Sequence, residues 1–574
     1  MKKQKLELTW IGKENRPKLE PRILLEDPAK SYHAKHKVSK NDTFDNKLIF
    51  GDNLLALKAL EQEYAGKVQC VYIDPPFNTK QAFEHYDDSV EHSVWLSLMR
   101  DRISILYRLL HPSGSFFIHI DDSELGYLIA LTDEIFGREN RVSVICFKQS
   151  SASGPKAINP GLVTTANFIL YYAKDKRKWK SYKVFTATNR DSRYSKFITN
   201  KEEDHSKWEL TSLKDAFCAY HSLTWVEARS RFADKLEEKI EDFVLKNAEK
   251  VVRTARVAPK DVNESAREIL AKSTKNDNRV FKSLRDGKDD YYFYNGEQLI
   301  FYSNKTQNIN GVVRTAAAAT NIWDDLLSNN LHKEGGVAFP NGKKPEFLLK
   351  RIIELSTDPG DIVLDSFAGS GTTGAAAHKM GRRWIMVELG KHCETHIYPR
   401  MTSVIKGTDD SGITKAVNWK GGGGFRYYRL APSLLEKDKW GNWVINKEYN
   451  PAMLTEALCK LEGFTYAPSD SIYWQHGHST EQDFIYVTTQ TLRVDQLAQL
   501  SEDVGSNNTL LVLCLAFRGN VERFPNLTVK KIPKQVLSRC EWGHDDYSLQ
   551  IENLPKAPPK AGQMNLFDSE EKDT

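Results

Sequence analysis

The segment "IVLDSFAGSGTTGAAAHKMG", residues 362–381, restricts what this chain can become more than any other. A short apolar strand pattern ends on Asp365, a glycine-rich turn follows, and a helix pattern begins directly after it. The glycines Gly369, Gly371 and Gly374 are spaced G-x-G-x-x-G, and Glu388 lies near the end of the next strand pattern, "WIMVEL" at 384–389. Strand, glycine turn and helix in this order belong to a parallel α/β sheet whose helix N-terminus offers backbone donors to a ligand. A sharp strand-to-helix turn needs glycines too, so the motif acquires meaning only from its surroundings.

Those surroundings keep the same rhythm. "KLIF" (47–50) leads through Gly51-Asp52-Asn53 into the helix pattern "LLALKALEQEY", and "VQCVYI" (68–73) is a second strand ending at Asp74. A helix from Val94 to Leu110, the strand "GSFFIHI" (114–120), the helix "ELGYLIALTDEIFG" and the strand "RVSVICFKQ" (141–149) follow. The alternation predicts a doubly wound, mostly parallel, Rossmann-like α/β sheet. It breaks from about 150 to 320 and resumes with the helix "KKPEFLLKRIIELS" (343–356).

The expected domains are therefore an N-terminal arm (1–45), a first part of the sheet (46–150), an insert (151–320) and a second part (321–420). A smaller C-terminal α/β domain (421–555) begins at the glycine run Gly421 to Gly424, read as a hinge, and a flexible tail (556–574) ends the chain. Within the insert, Trp225, Phe232, Leu236, Ile240 and Phe243 are spaced for one face of a single long helix. That face suits core or dimer packing better than DNA reading.

Asp365 bears on the ligand. A carboxylate at the strand end, just before the glycines, repels a dinucleotide pyrophosphate but pairs with the α-ammonium of a methionine moiety. S-adenosylmethionine carries that ammonium and no phosphate. A nicotinamide oxidoreductase is the rival reading of the same loop.

"VYIDPPFNT", residues 71–79, ends a buried strand on a carboxylate, two prolines and an aromatic. The prolines forfeit two backbone donors, so stability alone does not recommend the sequence. A proline-stiffened turn is one explanation. The other is chemical, because the lone pair of an exocyclic amino group is delocalised into its ring. Two acceptors on the amino hydrogens draw density back to nitrogen; Asp74 supplies one and the carbonyl of Pro75, preset by the proline ring, the other. Phe77 can stack on a base that has left its duplex.

On these residues the chain resembles amino-methylating DNA methyltransferases of the β arrangement, in which DPP[YF] precedes the cofactor loop. It is most similar to the Mod subunits of Type III restriction–modification systems. "DPPF" at 74–77 carries the catalytic resemblance (Asp74, Pro75, Pro76, Phe77) and "FAGSG" at 367–371 the cofactor one (Phe367, Gly369, Gly371). The resemblance further implies that Asp52 in "GDN" receives the cofactor adenine and that Lys344 and Pro345 in "KKPEFLL" complete the methionine pocket. Glu388 in "MVEL" would bind the ribose. It places a target-recognition domain in the insert and adenine N6 as the acceptor, with cytosine N4 the alternative. Double-stranded DNA is the implied substrate, a homodimer the implied assembly, and a separate Res subunit the source of ATP-driven cleavage. Phe77 departs from the commoner tyrosine, keeping the stacking face and losing a hydroxyl.

Further features complete the reading. The run "YYAKDKRKWKSYK" (171–183) offers Lys174, Lys176, Arg177, Lys178, Trp179 and Lys180 either to phosphates or to solvent. Gln563, Leu566 and Phe567 in the tail resemble the short Q-x-x-L-F peptides that dock on the DNA sliding clamp. The seven cysteines are scattered and never paired as C-x-x-C, so neither a metal site nor a disulfide framework is expected. A formal net charge of +5 permits a nucleic-acid partner without requiring one. No apolar run reaches membrane length and the N-terminus lacks an apolar signal core; the scattered cysteines make a reducing cytoplasm the default, and the resemblance implies a bacterial one.

Overall fold

The computed structural model describes residues 7–40, 42–77, 92–150, 162–275, 278–326, 331–339 and 342–532. They divide into two compact units, residues 183–320 and the rest.

The larger unit is built on an eleven-stranded sheet. Its strands are β1 (Leu24–Glu26), β2 (Tyr32–His33), β3 (Asn46–Phe50), β4 (Val68–Ile73), β5 (Leu110–Ile120) and β6 (Arg141–Lys148). The others are β7 (Ala166–Ala173), β8 (Ile322–Trp323), β9 (Ile362–Asp365), β10 (Arg383–Glu388) and β11 (Gly424–Leu430). Their order is β1-β11-β3-β10-β9-β4-β5-β7-β6-β8, with β2 also on β11. From β11 to β5 every pairing is parallel, and β7 runs against both β5 and β6.

Helices α1 (Asn53–Tyr64), α2 (His92–Leu109) and α3 (Asp122–Phe136) cover one face. Helices α4 (Glu346–Ser356), α5 (Thr372–Lys379) and α6 (Tyr398–Lys406) cover the other. Covering both faces explains why β4 is apolar at every position but Gln69: all six of its residues are buried. The amphipathic α2 turns Trp95, Met99, Ile103 and Leu106 inward at three- and four-residue steps.

The structure redraws several expected boundaries. The supposed arm is packed: Leu24 pairs with Leu430, Ile23 is fully buried, and the Trp10 indole donates to Ser97 at 2.8 Å. Nor does the glycine run act as a hinge. Gly421 to Gly424 are buried, and a Cβ on Gly421 would lie 2.9 Å from the Ile405 carbonyl oxygen. The run delivers β11 into the main sheet, so this part extends through Leu430. The insert likewise begins at 183, because Ala166–Ala173 is a central strand of the sheet. The packed arm and the place of β11 depend on pairings hundreds of residues apart, which leave no local pattern.

Residues 183–320 form their own body around a six-stranded antiparallel sheet, a three-stranded sheet and four α-helices. The single long helix expected there is two, Trp225–Phe232 and Leu236–Lys246, parted at Ala233, whose φ is +41°. Their apolar residues still meet in one core with Tyr194, Phe217 and Tyr302. Beyond the sheet of the larger unit, parallel strands Asp483–Leu492, Thr509–Phe517 and Leu527–Lys531 with two helices make the small C-terminal α/β layer. The tail with Gln563, Leu566 and Phe567 lies outside the described residues.

Candidate active site

Topology gathers the motifs. Strand β9 pairs with β4 through Leu364 and Val71, so Asp365 and Asp74 leave the sheet side by side. Glu388 pairs with Phe50, which places the end of β10 beside Gly51-Asp52. Four adjacent parallel strands thus deliver four acidic residues to one carboxyl edge, the usual place for a ligand on such a sheet.

The glycine loop is locked from several sides. Gly369 and Gly371 have φ of +52° and +77°, and a Cβ on Gly371 would meet Ile397 at 2.9 Å. Asp365 accepts from the Phe367 N–H at 2.9 Å and from the Thr373 hydroxyl at 2.5 Å. Glu388 accepts from the Gly369 N–H at 2.8 Å and the Gly390 N–H at 2.9 Å. Behind the loop, the buried Arg400 donates to the Ser370 carbonyl at 3.2 Å and the Thr372 hydroxyl at 2.9 Å, and pairs with Glu346 at 2.8 Å. Lys379 closes that network between Glu346 and Asp409, each at 2.7 Å.

Asp52 caps α1, accepting from the Leu55 N–H at 3.0 Å, and it faces Arg102 at 3.5 Å. Its neighbour Asn53 takes the Arg102 guanidinium at 2.5 Å and donates to the Ser366 carbonyl at 2.8 Å. The first strand turn and the glycine loop are therefore hydrogen-bonded to one another.

The DPPF segment is held as firmly. The indole of the buried Trp95 donates to the Pro76 carbonyl at 2.9 Å. The rings of Phe77 and His119 stack 5.8 Å apart at an interplanar angle of 20°. His119 sits between the Tyr72 hydroxyl at 3.0 Å and the Asn167 amide at 3.2 Å, and burial, then the nearby Lys344, keeps its imidazole neutral. Lys344, which directly precedes Pro345 and α4, pairs with Asp74 Oδ2 at 2.7 Å and lies 5.0 Å from the Phe77 ring centre. The other Asp74 oxygen, Oδ1, is buried and has no hydrogen-bond partner among the described residues. Burial raises the Asp74 carboxyl above the ordinary range, and Lys344 pulls it back.

Electrostatics specify the ligand. Burial pushes the Asp365 carboxyl up to about 7; Asp74 and Glu388 add to the rise, opposed by the Thr373 and Phe367 hydrogen bonds. Three carboxylates this close repel one another and a pyrophosphate alike, while a cation relieves them. Left-handed glycines, a buried acid strained by its neighbours and an unpartnered acceptor on Asp74 fit a cationic, phosphate-free ligand beside an amino group.

The expected residues are not all at this edge. Asp52, Asp74, Pro75, Pro76, Phe77, Lys344, Pro345, Asp365, Phe367, Gly369, Gly371 and Glu388 are on the strand ends and loops just described. The basic run is not. Ala173 pairs with Ser115 while Phe168 pairs with Ile120, so Lys174 to Lys180 leave β7 at the edge opposite Asp74. Tyr171 and Tyr172 are buried core, Trp179 donates to Ser115 at 3.1 Å, and Lys174 donates to the Leu110 carbonyl at 2.6 Å. Arg177 pairs with Asp175 at 3.0 Å and Lys180 with Asp358, so these two cations of the run are already engaged by carboxylates.

Sequence reasoning missed Trp95, Asn53, Arg102, His119, Thr373 and Arg400. His119 alone carried a signal, a polar side chain near the end of the otherwise apolar "FFIHI".

Comparison with known proteins shows the family. A family pattern described as DNA methylase matches residues 68–398. The probable Type III restriction–modification enzyme HindVI Mod subunit of Haemophilus influenzae is 34% identical over 68% of this chain and 54% of its own length. The EcoP15I Mod subunit of Escherichia coli is 25% identical over 76% of this chain and 73% of its own length. The EcoPI Mod subunit of Escherichia phage P1 is 27% identical over 66% of this chain and 61% of its own. The chain thus spans little more than half of the HindVI subunit.

Proposed function

The chain belongs to the DNA methylase family, and from that premise we propose that it is a sequence-specific adenine-N6 DNA methyltransferase of the Type III Mod kind, using S-adenosylmethionine. The observation that carries the reading is the buried Asp74 Oδ1, which has no hydrogen-bond partner among the described residues, at the end of a strand paired with the one that leads into the glycine loop.

When bound, S-adenosylmethionine supplies an electrophilic methyl group and a cationic amino-acid end. Asp365 would hold its ammonium, Glu388 its ribose, and Phe367, Gly369 and Gly371 shape the cradle, with Asp52 at the adenine end. Asp74 Oδ1 accepts one hydrogen of the target amino group and the Pro75 carbonyl the other, which localises the nitrogen lone pair. Phe77 stacks on the flipped base, buttressed by His119. The Trp95 indole on the Pro76 carbonyl keeps the segment from relaxing away from the base. Transfer is direct, with no enzyme nucleophile.

Residues 183–320, a separately folded body, are the natural reader of the DNA sequence. By the same likeness the protein would act as a homodimer and serve a separate Res subunit. Cytosine N4 is chemically equivalent at this site; the aspartate of the motif favours adenine.

Two measurements test the reading. Expression in a methylation-free bacterial host, followed by modification-sensitive sequencing, reports the base and site methylated. Asp74→Ala should abolish transfer while calorimetry shows cofactor affinity within a few-fold; undiminished methylation by this variant refutes the assignment.

A further inference from the structure

Lys344 entered the sequence reading as part of the cofactor's methionine pocket, but the structure places its ammonium on the catalytic carboxylate. We propose that Lys344 is a positioning residue for the target base, holding Asp74 as a carboxylate and turning its Oδ1 towards the amino group. This inference rests on the methyltransferase reading above.

The geometry supplies three supports. The Lys344–Asp74 contact of 2.7 Å joins side chains only 8% and 17% exposed, so solvent does little to weaken it. Lys344 engages Oδ2, while Oδ1 has no partner among the described residues, so the carboxylate is held by one oxygen and presented by the other. The same ammonium lies 5.0 Å from the Phe77 ring centre, tying the acceptor and the stacking surface to a single group.

The other groups around Asp74 cannot substitute. Tyr72 is held neutral by burial and by the charges of Asp74 and Asp365, and its hydroxyl is engaged with His119. His119 is kept neutral. Asp365 is another carboxyl group, whose own ionisation the charge of Asp74 opposes, and it offers Asp74 no positive charge. Lys344 is the one cation paired with Asp74 among the described residues. Without it, burial returns the proton to Asp74. A protonated carboxyl that turns its O–H towards an amino group meets N–H with O–H, and the acceptor the reaction needs is lost.

The test compares wild type with Lys344→Met, Lys344→Gln and Lys344→Arg. Single-turnover transfer from methyl-labelled S-adenosylmethionine to DNA from a methylation-free host is followed against pH. Cofactor affinity is measured by calorimetry at pH 8. In the Met and Gln variants the acidic limb of the rate should move upward by about 1–3 pH units, as expected for loss of an adjacent opposite charge. Arg should hold the limb near its wild-type position, and cofactor affinity should stay within about threefold throughout, since a buried carboxylate and not the cofactor is the partner lost. An unmoved limb in both neutral variants, or a collapse of cofactor affinity with the limb unmoved, overturns the inference. A wild-type protein that methylates no DNA instead overturns the methyltransferase reading itself.

Discussion

In its proposed role on the cofactor's ammonium, Asp365 would make cofactor binding a titration. Its carboxyl is pushed up to about 7 by burial, with Asp74 and Glu388 adding to the shift. Only the carboxylate form pairs with the ammonium of S-adenosylmethionine, so the apparent affinity scales with the ionised fraction. That fraction is about one half at pH 7, about one eleventh at pH 6 and about one thirtieth at pH 5.5. Affinity should therefore weaken about fivefold from pH 7 to 6 and about fifteenfold by pH 5.5. The range stays below the cofactor's own α-amino titration, near 7.7–8.0 in ordinary amines, so its charge is constant.

The sign is definite: a carboxyl that must ionise to bind releases a proton, so affinity rises with pH and falls as pH drops through about 7. Calorimetry in buffers of different ionisation enthalpy should report release of about half a proton per site at pH 7, approaching one at pH 5.5. Asp365→Asn should bind weakly and lose the pH dependence. Thr373→Val, which removes a hydrogen bond that stabilises the carboxylate, should shift the whole curve to higher pH. A wild-type affinity that changes less than about twofold across this range, with no proton released, would falsify the role given to Asp365.

The remaining predictions address the scaffold. Gly371→Ala places a Cβ 2.9 Å from Ile397 at φ +77°, whereas on Gly369 the nearest atom is 3.9 Å away. Thermal melts should show Gly371→Ala the more destabilised by about 1–3 kcal/mol, with the greater loss of cofactor affinity. Trp95→Phe removes the donor to the Pro76 carbonyl and should lower the transfer rate about tenfold at unchanged cofactor affinity, the worth of one hydrogen bond. Arg400→Met strips the buried guanidinium from Glu346 and the glycine loop; urea unfolding should report a loss of about 3–5 kcal/mol.

Much of this site is legible in the one-dimensional pattern. The alternating strands and helices, the glycines before α5 and the odd ending of β4 are local features, each with a local physical cause. Period-two and period-3.6 burial, left-handed turns and strand ends need no knowledge of distant residues. The resemblance in the motifs then named the same residues that the sheet assembles.

What stayed hidden is long-range. Asp74 and Asp365 are neighbours because β4 and β9 share backbone hydrogen bonds across almost three hundred residues of chain, including a separately folded body. No local rule reports that pairing, nor the place of β11 in the main sheet, nor β7 as the reversed strand that carries the basic run to the far edge. The partners of the key carboxylates are hidden for the same reason. Lys344 on Asp74, Thr373 on Asp365 and Gly369 on Glu388 are set by where side chains and loops converge in three dimensions. By itself the sequence determined the elements that carry the motifs, the motif chemistry and the kind of ligand. Only the tertiary structure decided which charges face each other, and with them the ionisation of the acids, because Coulomb forces and desolvation act through space and not along the chain.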